Sequence, residues 1–122
     1  FACGRLLNEK TARSQCLGGM TFGIGMALTE DMAHDHRDGH IVSRDLAEYH
    51  VPCHADVPPL DVEFLEERDA FVGPMQAKGI GELGICGAGA AVLNAIHNAC
   101  GVRVRDLPAT PEKIIGGLEA HL

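Results

Sequence analysis

The sequence predicts an α+β domain in which two main helices, at about residues 11–30 and 86–100, pack with short strands. Three observations predict it. Ala12, Cys16, Met20, Ile24 and Leu28 recur every four residues, with Leu17 and Ala27 alongside, which gives a helix one apolar side. Residues 86–100 form a second apolar run, closed by Gly101 where a C′ glycine belongs. Around these runs, short alternating or proline-bearing stretches read as extended chain.

Taken in order, residues 3–7 read as a short strand entering the domain. The first helix then carries Gly18, Gly19, Gly23 and Gly25, each costing about 1 kcal/mol against alanine in an exposed helix interior. Something must approach that face too closely for a Cβ, either a neighbouring part of the chain or a bound cofactor. Residues 31–40 are a polar loop closed by the Asp38-Gly39 turn signal, and Ile41–His50 reads as extended. Pro52, Pro58 and Pro59 exclude helix locally. Leu60, Val62, Phe64 and Glu66 alternate with Asp61, Glu63 and Leu65, the pattern of a half-buried strand. A glycine-rich turn, Gly79 to Gly84, leads into the second helix, and Val102–Val104 reads as a further short strand. Thr110 and Pro111 open a last helix as N-cap and first position. With neither internal repeats nor a linker, residues 1–122 are read as one domain.

Composition narrows the function. The 122 residues are 46% hydrophobic and 22% charged, which excludes a disordered chain. No apolar run approaches the roughly 18 residues of a membrane span. Four Phe, one Tyr and no Trp leave the core to aliphatic side chains and methionine. A net charge of −7 excludes the basic footprint that nucleic acid or an anionic membrane needs. The five cysteines, Cys3, Cys16, Cys53, Cys86 and Cys100, are odd in number and contain no C-x-x-C pair; four of them sit among apolar or small residues and read as small buried hydrophobes in a reducing compartment. The cytoplasm is the expected location, with the periplasm as the alternative. A chain that starts at Phe1, with no Met and no leader, is expected to be a piece of a longer one.

Gly79-Ile80-Gly81-Glu82-Leu83-Gly84 satisfies G-x-G-x-x-G in letters, but Gly73-Pro74 breaks the strand that a dinucleotide site needs before it. Glu82 in this turn suits a general base: glycines admit a ligand, and a helix N-terminus supplies donors and positive potential. The bland alternative is a carboxylate that only complements the helix dipole, for about 0.3–1 kcal/mol. From these residues alone the bland reading is favoured. His34, His36 and His40, with Asp31, Asp35 and Asp38, offer imidazoles close in sequence, yet no second ligand cluster supports a metal. His50, His54 and His97 have no nucleophile-elbow partner, so a hydrolase triad is not supported.

Three stretches together carry a resemblance. They are Cys3-Gly-Arg-Leu-Leu-Asn8 with Gln15–Met20 and Phe22–Leu28; Tyr49-His-Val-Pro52 with Ala55-Asp-Val-Pro58; and Lys78–Gly84 with Gly87–Ala91 and Arg103–Pro108. In this order they resemble the C-terminal part of the molybdenum-binding large subunit of the xanthine dehydrogenase and aldehyde oxidoreductase family, nearest to bacterial three-subunit aldehyde oxidoreductases. Glu9 stands where the family commonly has proline. The resemblance implies part of a molybdopterin-binding domain in a molybdenum hydroxylase that oxidises an aldehyde or N-heterocycle. A glutamate removes the proton of a water-derived hydroxyl on molybdenum, the oxygen attacks carbon, and hydride passes to a sulfido ligand. By motif that glutamate is Glu82, Gly81 lies against the molybdenum ligands, and Gln15 hydrogen-bonds the pterin. No residue of this chain is expected to ligate the metal. Iron–sulfur and FAD groups are implied on other domains or subunits, which would be its partners with the rest of its own subunit. The piece alone is expected to be inactive and to hold no cofactor. The rival reading is a free-standing binding domain without catalysis.

Overall fold

Asn8 sets the start of the first helix. In the computed structural model, which describes residues 1–120, its side chain accepts a hydrogen bond from the Thr11 N–H at 3.1 Å and α1 runs from Glu9 to Leu28. The helix thus begins two residues before the expected bound at about residue 11. Glu9 is its first residue, a position suited to proline or to an acidic side chain alike. α1 ends where the Thr29 and Glu30 N–H groups both donate to Gly25 O at 2.9 Å. It buries Ala12, Cys16, Gly23, Ile24, Gly25 and Ala27; of the residues that the spacing marks, Ala12, Cys16, Ile24 and Ala27 are buried, whereas Leu17, Met20 and Leu28 are only half-buried.

α2 spans Ala88–Cys100, between Gly87 (φ 87°) and Gly101 (φ 79°), both left-handed, where only glycine is unstrained. It starts two residues later than the apolar run because Gly87 is its cap. α3 spans Pro111–Glu119, with Pro111 in the first turn; Thr110 sits at the N-cap but its side chain makes no capping bond. α1 packs on α2. Ala109 N–H donates to Ala27 O at 2.6 Å, and Gly117 of α3 is pressed against the Val102 side chain. The buried apolar set is small-sided: Cys3, Ala12, Cys16, Ile24, Ala27, Val62, Val102 and Ala109.

The expected strands do not form. Among the described residues the only pairings are two isolated antiparallel bridges, Gly4 with Ala77 and His34 with Ile41, so the α+β expectation is corrected to three helices joined by irregular chain. The 60–66 stretch shows why. Val62 is buried and Phe64 half-buried, as the alternation requires, but no neighbouring strand supplies a ladder. Its carbonyls are met instead by the Arg13 guanidinium of α1, 2.7 Å from Val62 O, and by the Phe1 amino group, 2.7 Å from Glu63 O. Residues 41–50 leave the extended state after Ile41, turning at Asp45, whose carbonyl accepts from Tyr49 N–H at 2.8 Å. Val102 packs on α3 without a strand partner. The 3–7 stretch keeps only its bridge at Gly4. No helix among the described residues is long and apolar enough to cross a membrane.

Candidate active site

Lys78 leads into the glycine-rich turn, and residues 81–87 descend to α2 through loose turns. Leu83 N–H donates to Ile80 O at 3.2 Å, Cys86 N–H to Glu82 O at 3.2 Å and Ala88 N–H to Ile85 O at 3.1 Å. Glu82 is solvent-exposed on this descent. Because α2 begins only at Ala88 and has no acidic residue in its first turn, the helix dipole, which fades within one turn, does not account for a carboxylate at Glu82. The bland reading loses its basis, and so does the expectation that a helix N-terminus holds this group.

Gln15 sits on α1 one helical turn beyond Thr11. Its Nε2 donates to Gly81 O at 2.6 Å. Two of the three residues singled out in the sequence therefore meet directly, and the third, Glu82, is the next residue in the chain. Gln15 and Gly81 border a cleft of about 440 Å³ lined also by Arg5, Thr11 and Lys78, which Glu82 adjoins only as the neighbour of Gly81. Arg5 was not anticipated: it lines the cleft from the N-terminal segment, and no spacing rule links it to residues 78–82.

The glycines here fall into two kinds. A Cβ on Gly19 would lie 2.7 Å from Ile85 N, one on Gly84 2.5 Å from Cys16 O, and one on Gly23 2.5 Å from Ala88 Cβ. These are glycine because α1 and the descending turn touch backbone to backbone. Neighbouring chain therefore explains them, and Pro52 explains Gly25 in the same way. Gly18, Gly79 and Gly81 differ: nothing lies within 4 Å of a Cβ built on any of them, and none has a left-handed φ. The chain itself gives no reason for glycine at these positions, as it gives none at Gly116 of α3; of the three only Gly81 lines the cleft, where a flat group lying against the turn would meet no Cβ. Around it stand a side-chain amide, a guanidinium and backbone amides, neutral and cationic donors suited to a pterin with anionic substituents. The residues present fit such a group.

The remaining candidates lie elsewhere. In the 31–40 loop the carboxylates serve local turns, Asp35 holding Arg37 at 2.6 Å and Asp38 holding His40 Nδ1 at 2.9 Å. The Arg37 guanidinium holds the Asp35 carboxyl below its ordinary range. Among the described residues no three His, Cys, Asp or Glu side chains gather to hold a metal. Cys3 and Cys16 are buried, and burial pushes the Cys16 thiol up. Cys53 and Cys86 are exposed, contrary to the expectation of buried small hydrophobes.

A domain model described as "Molybdopterin cofactor-binding domain" matches residues 1–58, which include Gln15 and stop before Gly81 and Glu82. The aldehyde oxidoreductase molybdenum-binding subunit PaoC of Escherichia coli K12 is 54% identical over 117 residues, 96% of this chain and 16% of that protein. The probable hypoxanthine oxidase XdhD of the same organism is 39% identical over 96% of this chain and 12% of its own length. The crystal structure of quinoline 2-oxidoreductase from Pseudomonas putida 86 superposes with a TM-score of 0.87 at 31% identity, over 97% of this chain and 15% of that one. The chain thus spans about one-eighth to one-sixth of the curated relatives it matches. It belongs to the molybdenum-binding subunits of the xanthine dehydrogenase and aldehyde oxidoreductase family, whose cofactor is molybdenum held by a molybdopterin.

Proposed function

We propose that the chain is one wall of the catalytic pocket of a molybdenum hydroxylase that oxidises an aldehyde or N-heterocycle, with Glu82 as the general base. The supporting observation is the Gly79–Gly84 turn. Its open Gly81 lines a cleft, the Gly81 carbonyl is fixed by Gln15 at 2.6 Å, and its glutamate is left exposed next to it. The bound cofactor supplies the redox chemistry and an electrophilic metal centre. The chain's own residues do the rest. Gly79 and Gly81 let the backbone lie flat against the group. Gln15, with Nε2 committed to Gly81 O, keeps Oε1 and a second N–H for the pterin. A Glu82 carboxylate oxygen accepts the proton of the water-derived nucleophile as it attacks the substrate carbon, a role worth about 10²–10⁴-fold. Iron–sulfur and FAD subunits would carry the electrons away, and the rest of the subunit would enclose substrate.

Glu82→Gln in the complete subunit tests this. Glutamine keeps the shape but takes no proton at neutral pH. The expected result is a kcat loss of about 10²–10⁴-fold at unchanged molybdenum content. A kcat within threefold of the parent at full loading overturns the assignment.

A further inference from the structure

We infer that Lys78, gripped by Glu67 and Asp69, is a positioning residue that fixes the register of the turn carrying Glu82; this rests on the reading of Glu82 as the base. Lys78 Nζ lies 2.6 Å from Glu67 Oε1 and 3.1 Å from Asp69 Oδ2. Both carboxylates are themselves oriented by backbone donors: Glu67 Oε2 accepts from Gly4 N–H at 3.0 Å, and Asp69 Oδ1 accepts from Phe71 N–H at 2.9 Å. The Lys78 backbone is held as well, its N–H donating to Cys3 O at 2.9 Å, and two residues earlier Gln76 O accepts from Arg5 N–H at 2.7 Å. All three side chains are about one-third exposed, so solvent screens the pairs and their value to overall stability is small. Their geometric value is larger.

Between Lys78 and Glu82 only Ile80 carries a side chain. Gly79 and Gly81 meet nothing at their Cβ positions, and glycine has the widest backbone freedom of any residue. Besides the loose bonds of its own turn, Leu83 N–H to Ile80 O and Cys86 N–H to Glu82 O, Glu82 is placed by three fixed points. Those are the Lys78 root, the Gln15 bond to Gly81 O and the contact of Gly84 with Cys16. The contact holds the far end and Gln15 the middle. At the near end two backbone bonds set residues 76–78 against the 3–5 segment, and the ammonium between Glu67 and Asp69 ties that pairing to the 67–69 segment. A general base misplaced by about 1 Å loses on the order of 10²-fold in rate, so a loosened root registers in turnover before it registers in folding.

The test uses the complete, molybdenum-loaded enzyme with Lys78→Met, Lys78→Arg and Glu67→Gln. Amide hydrogen exchange of residues 79–86 is followed without substrate, and kcat and KM are measured separately. Lys78→Met is expected to speed exchange in residues 79–86 at least tenfold while α1 and α3 exchange as in the parent. Its kcat should fall about 10–100-fold with KM within threefold. Lys78→Arg should recover both readouts, and Glu67→Gln, the milder change, should show the same pattern at smaller amplitude should Lys78→Met fail to fold. Parent-like exchange in residues 79–86 overturns the inference. So does a uniform rise through α1 and α3, which would make Lys78 a fold contact only. Retained turnover in Glu82→Gln overturns the base assignment by itself, and the exchange pattern judges the tether independently of it.

Discussion

Gly81 and Gly84, three residues apart in one turn, should respond oppositely to alanine. At Gly84 a Cβ would sit 2.5 Å from Cys16 O and 2.8 Å from Cys16 Cα, against about 3.4 Å for ordinary contact. Both obstacles are backbone in the middle of α1, which cannot yield, so the turn must retreat by about 0.9 Å. Overpacking of this kind costs about 1–3 kcal/mol. Glu82, two residues away, retreats with the turn, and kcat should fall on the order of 10²-fold. At Gly81 nothing lies within 4 Å and φ is ordinary. There alanine narrows the unfolded ensemble without straining the fold, which stabilises the cofactor-free subunit by about 0.4–1 kcal/mol. If the cofactor lies against Gly81, the same methyl group lowers molybdenum content or kcat at least tenfold. Urea denaturation of cofactor-free subunit, elemental analysis and kcat on one preparation of each variant separate the cases. A Gly81→Ala enzyme that loads and turns over like the parent would refute the argument that open glycines mark the bound group. A Gly84→Ala subunit as stable as the parent would refute the backbone-contact reading.

Three further outcomes are expected. Asn8→Ala removes the side-chain bond to Thr11 N–H and should cost about 1 kcal/mol in urea denaturation, with Asn8→Asp retaining most of it. The Lys78 hydrogen bond holds Glu67 below the usual carboxylate range; Asp69 is held low first by the Phe71 N–H and then by Lys78, and both carboxylates raise Lys78. Groups with depressed pKa values stabilise above their ordinary values and lose that contribution as pH falls through the depressed ones. The lysine's contribution is complete below its ordinary value of 10.5 and fades as pH rises through the raised one. Exchange protection of residues 79–86, corrected for intrinsic rate, should therefore be flat from about pH 5 to 10 and fall only outside it; a step near pH 6–7 would count against these groups. The 122-residue chain alone should retain no molybdenum by elemental analysis after gel filtration, because a single wall cannot enclose the cofactor.

What the sequence made legible is what short-range physics decides. The register of α1 is readable because Ala12, Cys16 and Ile24 point one way every turn, and those residues are buried. α3 is readable from Pro111. The start of α1 was missed because its cap, Asn8, precedes the apolar pattern, and the start of α2 because Gly87 lies inside an apolar run and looks continuous with it. The strands failed for a different reason. Alternation at 60–66 reports burial on one side, which is real, but a ladder needs a partner, and here a side chain from 49 residues upstream satisfies Val62 O instead. Likewise Gly4, Glu67 and Lys78 form a tether across 63 and 11 residues of sequence, which no local spacing announces.

The glycines of α1 show how far a pattern carries before geometry must take over. Their number argues for a close approach, and both a neighbouring chain and a ligand satisfy that argument equally. The structure divides the set: Gly19 and Gly23 face backbone or Ala88, whereas Gly18 faces open space. The division bears directly on the site. Gln15 reaches Gly81 O at 2.6 Å only because Gly84 lets the turn rest on Cys16. Retreat by the 0.9 Å or so that a single Cβ would force leaves that bond at about 3.5 Å, the outer limit for a hydrogen bond. The buried glycine contact and the amide bond are therefore one device. Loss of the first removes the second, and with it the middle fixed point of the turn that carries Glu82. Gly84→Ala and Gln15→Ala should then lower kcat by similar factors and combine to less than the product of the two, as residues sharing one function do. Independent, multiplicative losses would show that Gln15 serves the pterin alone and does not hold the turn.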